Sequence, residues 1–146
     1  MALFKPEIHP NAGNIARLCA ANQIPLYLVG ALGFRIDDRA VRRAGLDYWP
    51  YVDVRRVEDL AQLRESLPES RFFYFSARAN RSYADVAYRQ GDCLVFGPES
   101  RGLPQEVLSA DEQSALIIPM RSPHVRSLNL STAAAIAVYE ALRQLG

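Results

Sequence analysis

The chain has 146 residues, a formal net charge of +1, 49% hydrophobic and 23% charged residues, and two cysteines. That size suits one domain spanning 1–146, which can bury roughly 70% of its unfolded surface. No apolar run reaches the roughly 20 residues of a membrane span, residues 1–7 lack the apolar core of a secretory leader, and two cysteines make no disulfide framework, so a cytoplasmic, membrane-free protein is expected.

The first strand is short and is interrupted by Lys5 and Pro6. Apolar spacing then predicts a helix over 11–22, with Ile15, Leu18 and Cys19 on one face and Asn11 as a candidate N-cap. Leu26-Tyr27-Leu28-Val29 reads as a strand closed by Gly30. A short helix capped by Asp37 or Asp38 carries arginines in its last turn and stops at Gly45. A strand over 51–54 and a helix over 57–67 follow. Residues 71–75, 93–96 and 115–118 are apolar without alternation, as in parallel strands covered on both faces. The last helix, over 128–145, has an apolar stripe of Leu130, Ala134, Ala137, Val138, Ala141 and Leu145. An α/β fold with a mostly parallel sheet follows.

Ligands in such folds sit at the carboxyl ends of strands. That rule selects three loops: the one after Phe75, residues 97–104 and residues 119–127. No G-x-G-x-x-G follows a strand, and Gly30-Ala31-Leu32-Gly33 has the wrong spacing for one. Lys5 is the only lysine, so there is no phosphate-loop lysine. His9 and His124 stand in proline-flanked segments with no cysteine at ligand spacing, so no metal is expected. Cys19 and Cys93 read as small buried hydrophobes. The positive charge is almost all arginine, a bias that suits phosphate and that genomic base composition also produces. Arg39, Arg42 and Arg43, Arg55 and Arg56, and Arg78 and Arg81 are the clusters that could form a basic, RNA-binding surface.

Three segments carry more polarity than packing or capping needs. They are Pro10-Asn11-Ala12-Gly13-Asn14-Ile15-Ala16-Arg17, then Phe96-Gly97-Pro98-Glu99-Ser100-Arg101-Gly102-Leu103-Pro104, then Ile118-Pro119-Met120 with Ser127-Leu128-Asn129-Leu130-Ser131. Capping explains one of Ser127 and Asn129, not both together with Ser131.

In this order and spacing the three segments resemble the SPOUT methyltransferases, more closely the SpoU/TrmH branch, over nearly the whole chain, with Pro6-Glu7-Ile8 through Arg17-Leu18-Cys19 similar to the first motif. Together with Arg42-Arg43-Ala44-Gly45-Leu46-Asp47-Tyr48, they are most similar to the TrmL group, minimal tRNA 2'-O-methyltransferases without appended domains. The resemblance implies a SPOUT-type mostly parallel sheet with helices on both faces and a C-terminal deep trefoil knot. It implies a homodimer whose site is completed across the interface, with S-adenosylmethionine as cofactor. By position, Phe75, Gly97, Ile118, Met120, Ser127 and Leu128 would bind that cofactor. Asn11, Arg17, Glu99, Ser127 and Asn129 would form the catalytic group. The implied reaction is 2'-O-methylation of the wobble nucleotide, cytidine or modified uridine 34, in the tRNA anticodon loop.

The chemistry constrains these roles. A ribose 2'-hydroxyl is a weak nucleophile, so positioning it in line with an activated methyl supplies much of the rate. A general base adds about 10²–10⁴-fold. Arg17 stands where the family is often assigned that base, but a guanidinium stays protonated to about pH 12, which favours Arg17 as a clamp on substrate phosphate. Glu99 either accepts a hydrogen bond or structures its loop. Tyr48, Trp49 and Tyr51 offer stacking surfaces for unpaired bases, or pack inside the protein. Loop 121–126 is one residue longer than the group's pattern. Three alternatives remain: methylation elsewhere on tRNA or on rRNA, a non-catalytic knot that binds RNA or a nucleotide, and a plain α/β interaction domain. The last leaves the three loops unexplained.

Overall fold

The computed structural model describes residues 1–7, 9–35 and 49–146. The helix expected between Asp37 and Gly45, Arg39, Arg42, Arg43 and Tyr48 lie outside the described residues. In chain order the main elements are β1 (Ala2–Phe4), α1 (His9–Asn22), β2 (Leu26–Val29), β3 (Val54–Val57), α2 (Leu60–Ser66), β4 (Phe72–Phe75), β5 (Arg81–Ser82), β6 (Cys93–Phe96), α3 (Gln105–Ala110), β7 (Ala115–Ile117) and α4 (Leu130–Leu145). The strands form one sheet in the order β3-β2-β1-β6-β4-β7-β5, and every pairing is parallel.

The unbroken apolar runs are explained by helices on both faces of this sheet. Side chains alternate across a strand, so Phe73 and Phe75 of β4, with Leu94 and Phe96 of β6, point to a core shared with Ile15 and Cys19 of α1 and Ala134, Ala137 and Val138 of α4. Tyr74, Cys93 and Val95 point the other way, against Leu60 and Leu63 of α2 and Leu108 of α3. Both cysteines are free and buried. Burial pushes the Cys19 thiol up to about 11 and that of Cys93 in the same direction, which leaves both unreactive at neutral pH. Among the described residues no helix is long and apolar enough to cross a membrane.

Local chemistry moves several boundaries away from the periodicity. α1 begins at His9, so Asn11 lies inside its first turn, buried, and is not the cap. The strand expected over 51–54 lies at Val54–Val57, in register with all four residues of β2, after a 3₁₀ turn over Trp49–Tyr51 in which Pro50 withholds an N–H. α2 starts at Leu60 because the Asp59 carboxylate caps it, accepting from the Gln62 N–H. Asn129 does the same for α4, which therefore starts at Leu130 and not at 128. Of its expected stripe, Leu145 is exposed. The short elements β5 and α3 carry no period long enough to read.

Candidate active site

Parallel pairing sends all carboxyl ends to one edge, and there the neighbours β6, β4 and β7 open a cleft of about 640 Å³, counting its solvent-open mouth. Its walls include Phe75, Gly97, Ile118, Met120, Ser127 and Leu128, every residue expected to bind a cofactor. Phe75 and Phe96 stack face to face at 4.7 Å and form its apolar floor. Ser76, Ala77, Pro98, Gly102, Leu130 and Ala133 complete the lining. None has a distinctive side chain, so only the sequence position of the first four, inside two of the selected loops, could have signalled them.

The middle loop folds tightly on itself. A Cβ on Gly97 would stand 2.4 Å from the Leu103 nitrogen and 2.5 Å from the Gly102 carbonyl carbon, so only glycine fits. Gly102 has φ +68°, a left-handed conformation that glycine adopts without strain, and its N–H donates to the Pro98 carbonyl at 2.8 Å. From outside, the Arg78 guanidinium donates to the Leu103 carbonyl and, at 3.1 Å, to Gln105 Oε1.

A polar network then binds this loop to the two others. The amide N–H groups that open α4 fix Asn129 Oδ1, which accepts from Ser131 N at 2.9 Å, Ser131 Oγ at 2.6 Å and Thr132 N at 3.3 Å. That turns Asn129 Nδ2 toward Asn11 Oδ1, 3.0 Å away. Asn11 Nδ2 in turn faces Glu99 Oε1 at 3.4 Å. An ionised carboxylate only accepts, so the donor directions agree from helix cap to Glu99. Glu99 Oε2 accepts from the Glu7 N–H at 2.8 Å, while the Glu7 carboxylate accepts from Ser100 N at 3.1 Å and Ser100 Oγ at 2.7 Å. Register accounts for the second crossing. Leu3 pairs with Phe96, and Glu7 and Ser100 each follow four residues later. Glu99 thus does both things left open by the sequence, since it accepts hydrogen bonds and by doing so structures its loop. Glu7 is a site residue to which the sequence reading assigns no role; its signal was its place at the start of the first motif, in Pro6-Glu7-Ile8.

Asn11, Glu99 and Asn129 are therefore brought together, and Glu99 and Ser127 line the cleft. Arg17 is exposed on α1, about 9 Å along the axis from Asn11 by helix rise, and is not among the cleft walls of its own chain. Trp49 packs against the core, whereas Tyr51 is 79% exposed. The expected basic surface is reduced by internal use of its members. Arg55 pairs with Asp53 at 2.7 Å, and Arg81 donates to the Gln113 carbonyl at 2.8 Å. Among the described residues no group of His, Cys, Asp and Glu is placed to hold a metal ion.

Comparison with known proteins adds to this geometry. A model described as the SpoU rRNA Methylase family matches residues 1–139. A tRNA (cytidine(34)-2'-O)-methyltransferase of Escherichia coli K12 is 44% identical over 147 aligned positions, covering 100% of this chain and 93% of its own. The protein of the same description from Saccharophagus degradans is 47% identical, covering 100% and 95%. A solved structure concerned with 2-OH methylation of C/U34 on tRNA superposes with a TM-score of 0.91 at 52% identity, covering 99% of this chain and 93% of that one. The SpoU methyltransferase AviRb of Streptomyces viridochromogenes, in complex with AdoMet, shares the fold at a TM-score of 0.85 and 22% identity, covering 99% and 56%.

Proposed function

The chain belongs to the SpoU rRNA Methylase family, and from that premise we propose that it is an enzyme that methylates the ribose 2'-hydroxyl of the wobble nucleotide, cytidine or modified uridine 34, in the tRNA anticodon loop, with S-adenosylmethionine as donor. The family description names rRNA, but the two relatives matched over 93% and 95% of their own length act, by their descriptions, on tRNA position 34. The observation that carries the reading is the convergence of all six expected cofactor residues on one cleft. Its chemistry fits the donor. Phe75, Phe96, Ile118 and Leu128 offer apolar walls for a nucleoside base, and the Glu99 carboxylate suits a cationic sulfonium compound. Bound there, S-adenosylmethionine supplies an activated methyl group whose leaving group needs little help.

The chain's own residues would supply position. Asn129 and Asn11 have their amides engaged in the relay to Glu99, so they hold the loops at fixed height and do not take a proton. Ser127 lines the cleft, where it would contact cofactor or hydroxyl. Arg17 clamps a substrate phosphate. Because it stands outside the cleft of its own chain, the proposal includes a homodimer in which the site is completed across the interface. The deep trefoil knot of the C-terminal part and a cytoplasmic setting belong to the same proposal.

Site mapping by mass spectrometry tests this, on tRNA from a deletion strain and on tRNA treated with the purified protein and labelled cofactor. The wobble ribose is expected to lose and regain its methyl group, and an unaltered nucleotide 34 overturns the reading. Arg17→Lys separates clamp from base. Near-normal turnover with a new pKa in the accessible range would establish the base role instead.

A further inference from the structure

We propose that loop 121–126 is the docking strip for the phosphodiester backbone of the RNA that presents its ribose to the cleft; the proposal rests on the RNA-methyltransferase reading. A ribose 2'-hydroxyl stands beside the 3'-phosphodiester of its own nucleotide. No such hydroxyl can enter the cleft without bringing phosphates to its rim.

The two sides of that rim differ in charge. On one side the carboxylates Glu7 and Glu99 outnumber the one arginine of their loop, the exposed Arg101. On the other, Arg121, His124 and Arg126 are all exposed, and no Asp or Glu occurs anywhere from 113 to 139. The loop leaves the cleft wall at Met120 and rejoins it at Ser127, so its charges lie at the mouth. Arg55, Arg71 and Arg143 are held by carboxylates, and Arg78 and Arg81 by carbonyl groups. Among the described residues neither Arg121 nor Arg126 has such a partner. Their guanidiniums can bind phosphate without first breaking an internal contact. Pro123 and a turn in which His124 N donates to Ser122 Oγ at 3.2 Å limit the freedom lost on docking. Val125, 51% exposed between two cationic side chains, gives the strip an apolar contact for ribose or base.

The test is binding of an anticodon stem-loop RNA to the full chain, followed by fluorescence anisotropy over a series of salt concentrations. With two phosphate contacts removed, the double variant Arg121→Gln/Arg126→Gln should bind about tenfold or more weakly, with a logarithmic salt slope shallower by about 1.4. Arg121→Lys/Arg126→Lys should keep most of the slope, and calorimetric binding of S-adenosylmethionine should be unchanged in both variants. A double Gln variant with the wild-type slope overturns the proposal, as does a wild-type protein that binds no stem-loop. If the slope falls as expected but nucleotide 34 is never methylated, the strip stands and the functional reading fails. If nucleotide 34 is methylated but the slope is unaltered, the functional reading stands and the strip fails.

Discussion

The two loops that face each other across the cleft are built by opposite rules. Residues 97–104 are closed by glycine contacts, an internal Gly102-to-Pro98 hydrogen bond and crossing bonds to Glu7 and Asn11. Residues 121–126 are exposed throughout, with one side-chain contact, Ser122 to His124, bracing the backbone. A small cofactor needs walls held within a fraction of an ångström, because misplacement costs transition-state alignment. A polymer arrives with its own shape and demands charge and adaptability. The fixed wall suits the first task, the open wall the second. Substitutions should therefore cost stability and cofactor affinity on one side and RNA affinity alone on the other.

The largest effect is expected at Gly97. In Gly97→Ala the new methyl meets backbone atoms of Gly102 and Leu103, which cannot swing aside as a flexible side chain would. Overpacking of this kind costs about 1–3 kcal/mol, so the melting temperature should fall by roughly 3–10 °C. Affinity for S-adenosylmethionine should drop about tenfold or more, read by calorimetry. A variant that binds cofactor normally would show that this wall is less rigid than the contacts require.

Asn129 comes next, since it serves two structures with one side chain. Asn129→Ala removes the cap of α4, worth about 1 kcal/mol, and takes the donor from buried Asn11 Oδ1, a similar cost. Asn129→Asp sharpens the point because it keeps a capping oxygen and loses the donor. Its melting temperature should recover toward wild type while methyl transfer stays low. Full recovery of both would reduce the relay through Asn11 to a by-product of capping.

How far the sequence could be read follows the same division. The strands and the long helices announced themselves through apolar runs and 3.6-residue spacing, because both faces of the sheet are covered. The cleft lining was legible since the carboxyl-end rule and the family resemblance pointed at the same loops. Three things were not legible for physical reasons. From spacing alone Asn11 looked like a cap, and only the resemblance drew it into the site, because a cap and a buried relay use the same amide chemistry and differ only in where the helix starts. Glu7 stood in the first motif without a role, because its partner, Ser100, is 93 residues away and only the β1–β6 register brings them together. The basic clusters at Arg55, Arg78 and Arg81 suggested a free surface, yet charge counting cannot show that a guanidinium is already engaged by Asp53, Leu103 or Gln113.

Glu7 tests the fixed wall more gently. Glu7→Gln keeps one oxygen to accept from Ser100 N and can donate its amide N–H to Ser100 Oγ, so two charge-assisted hydrogen bonds become weaker neutral ones at a partly exposed place. About 1 kcal/mol is at stake. The KM for S-adenosylmethionine should rise about three- to tenfold with kcat changed less, because the loop loosens without losing a reacting group. A matching fall in kcat with KM unchanged would instead place Glu7 at the transition state.

The smallest effect is expected on the open wall, and there a null result is informative. Val125→Ser and Ser122→Ala alter exposed groups that support no other element, so stability should stay within about 0.5 kcal/mol of wild type. Cofactor affinity should not move. A fall of several degrees in melting temperature for Val125→Ser would mean that this side chain is packed in solution, against RNA-free protein. The strip would then be part of an interface and not an open docking surface, and the contrast between the two walls would no longer be one of rigidity.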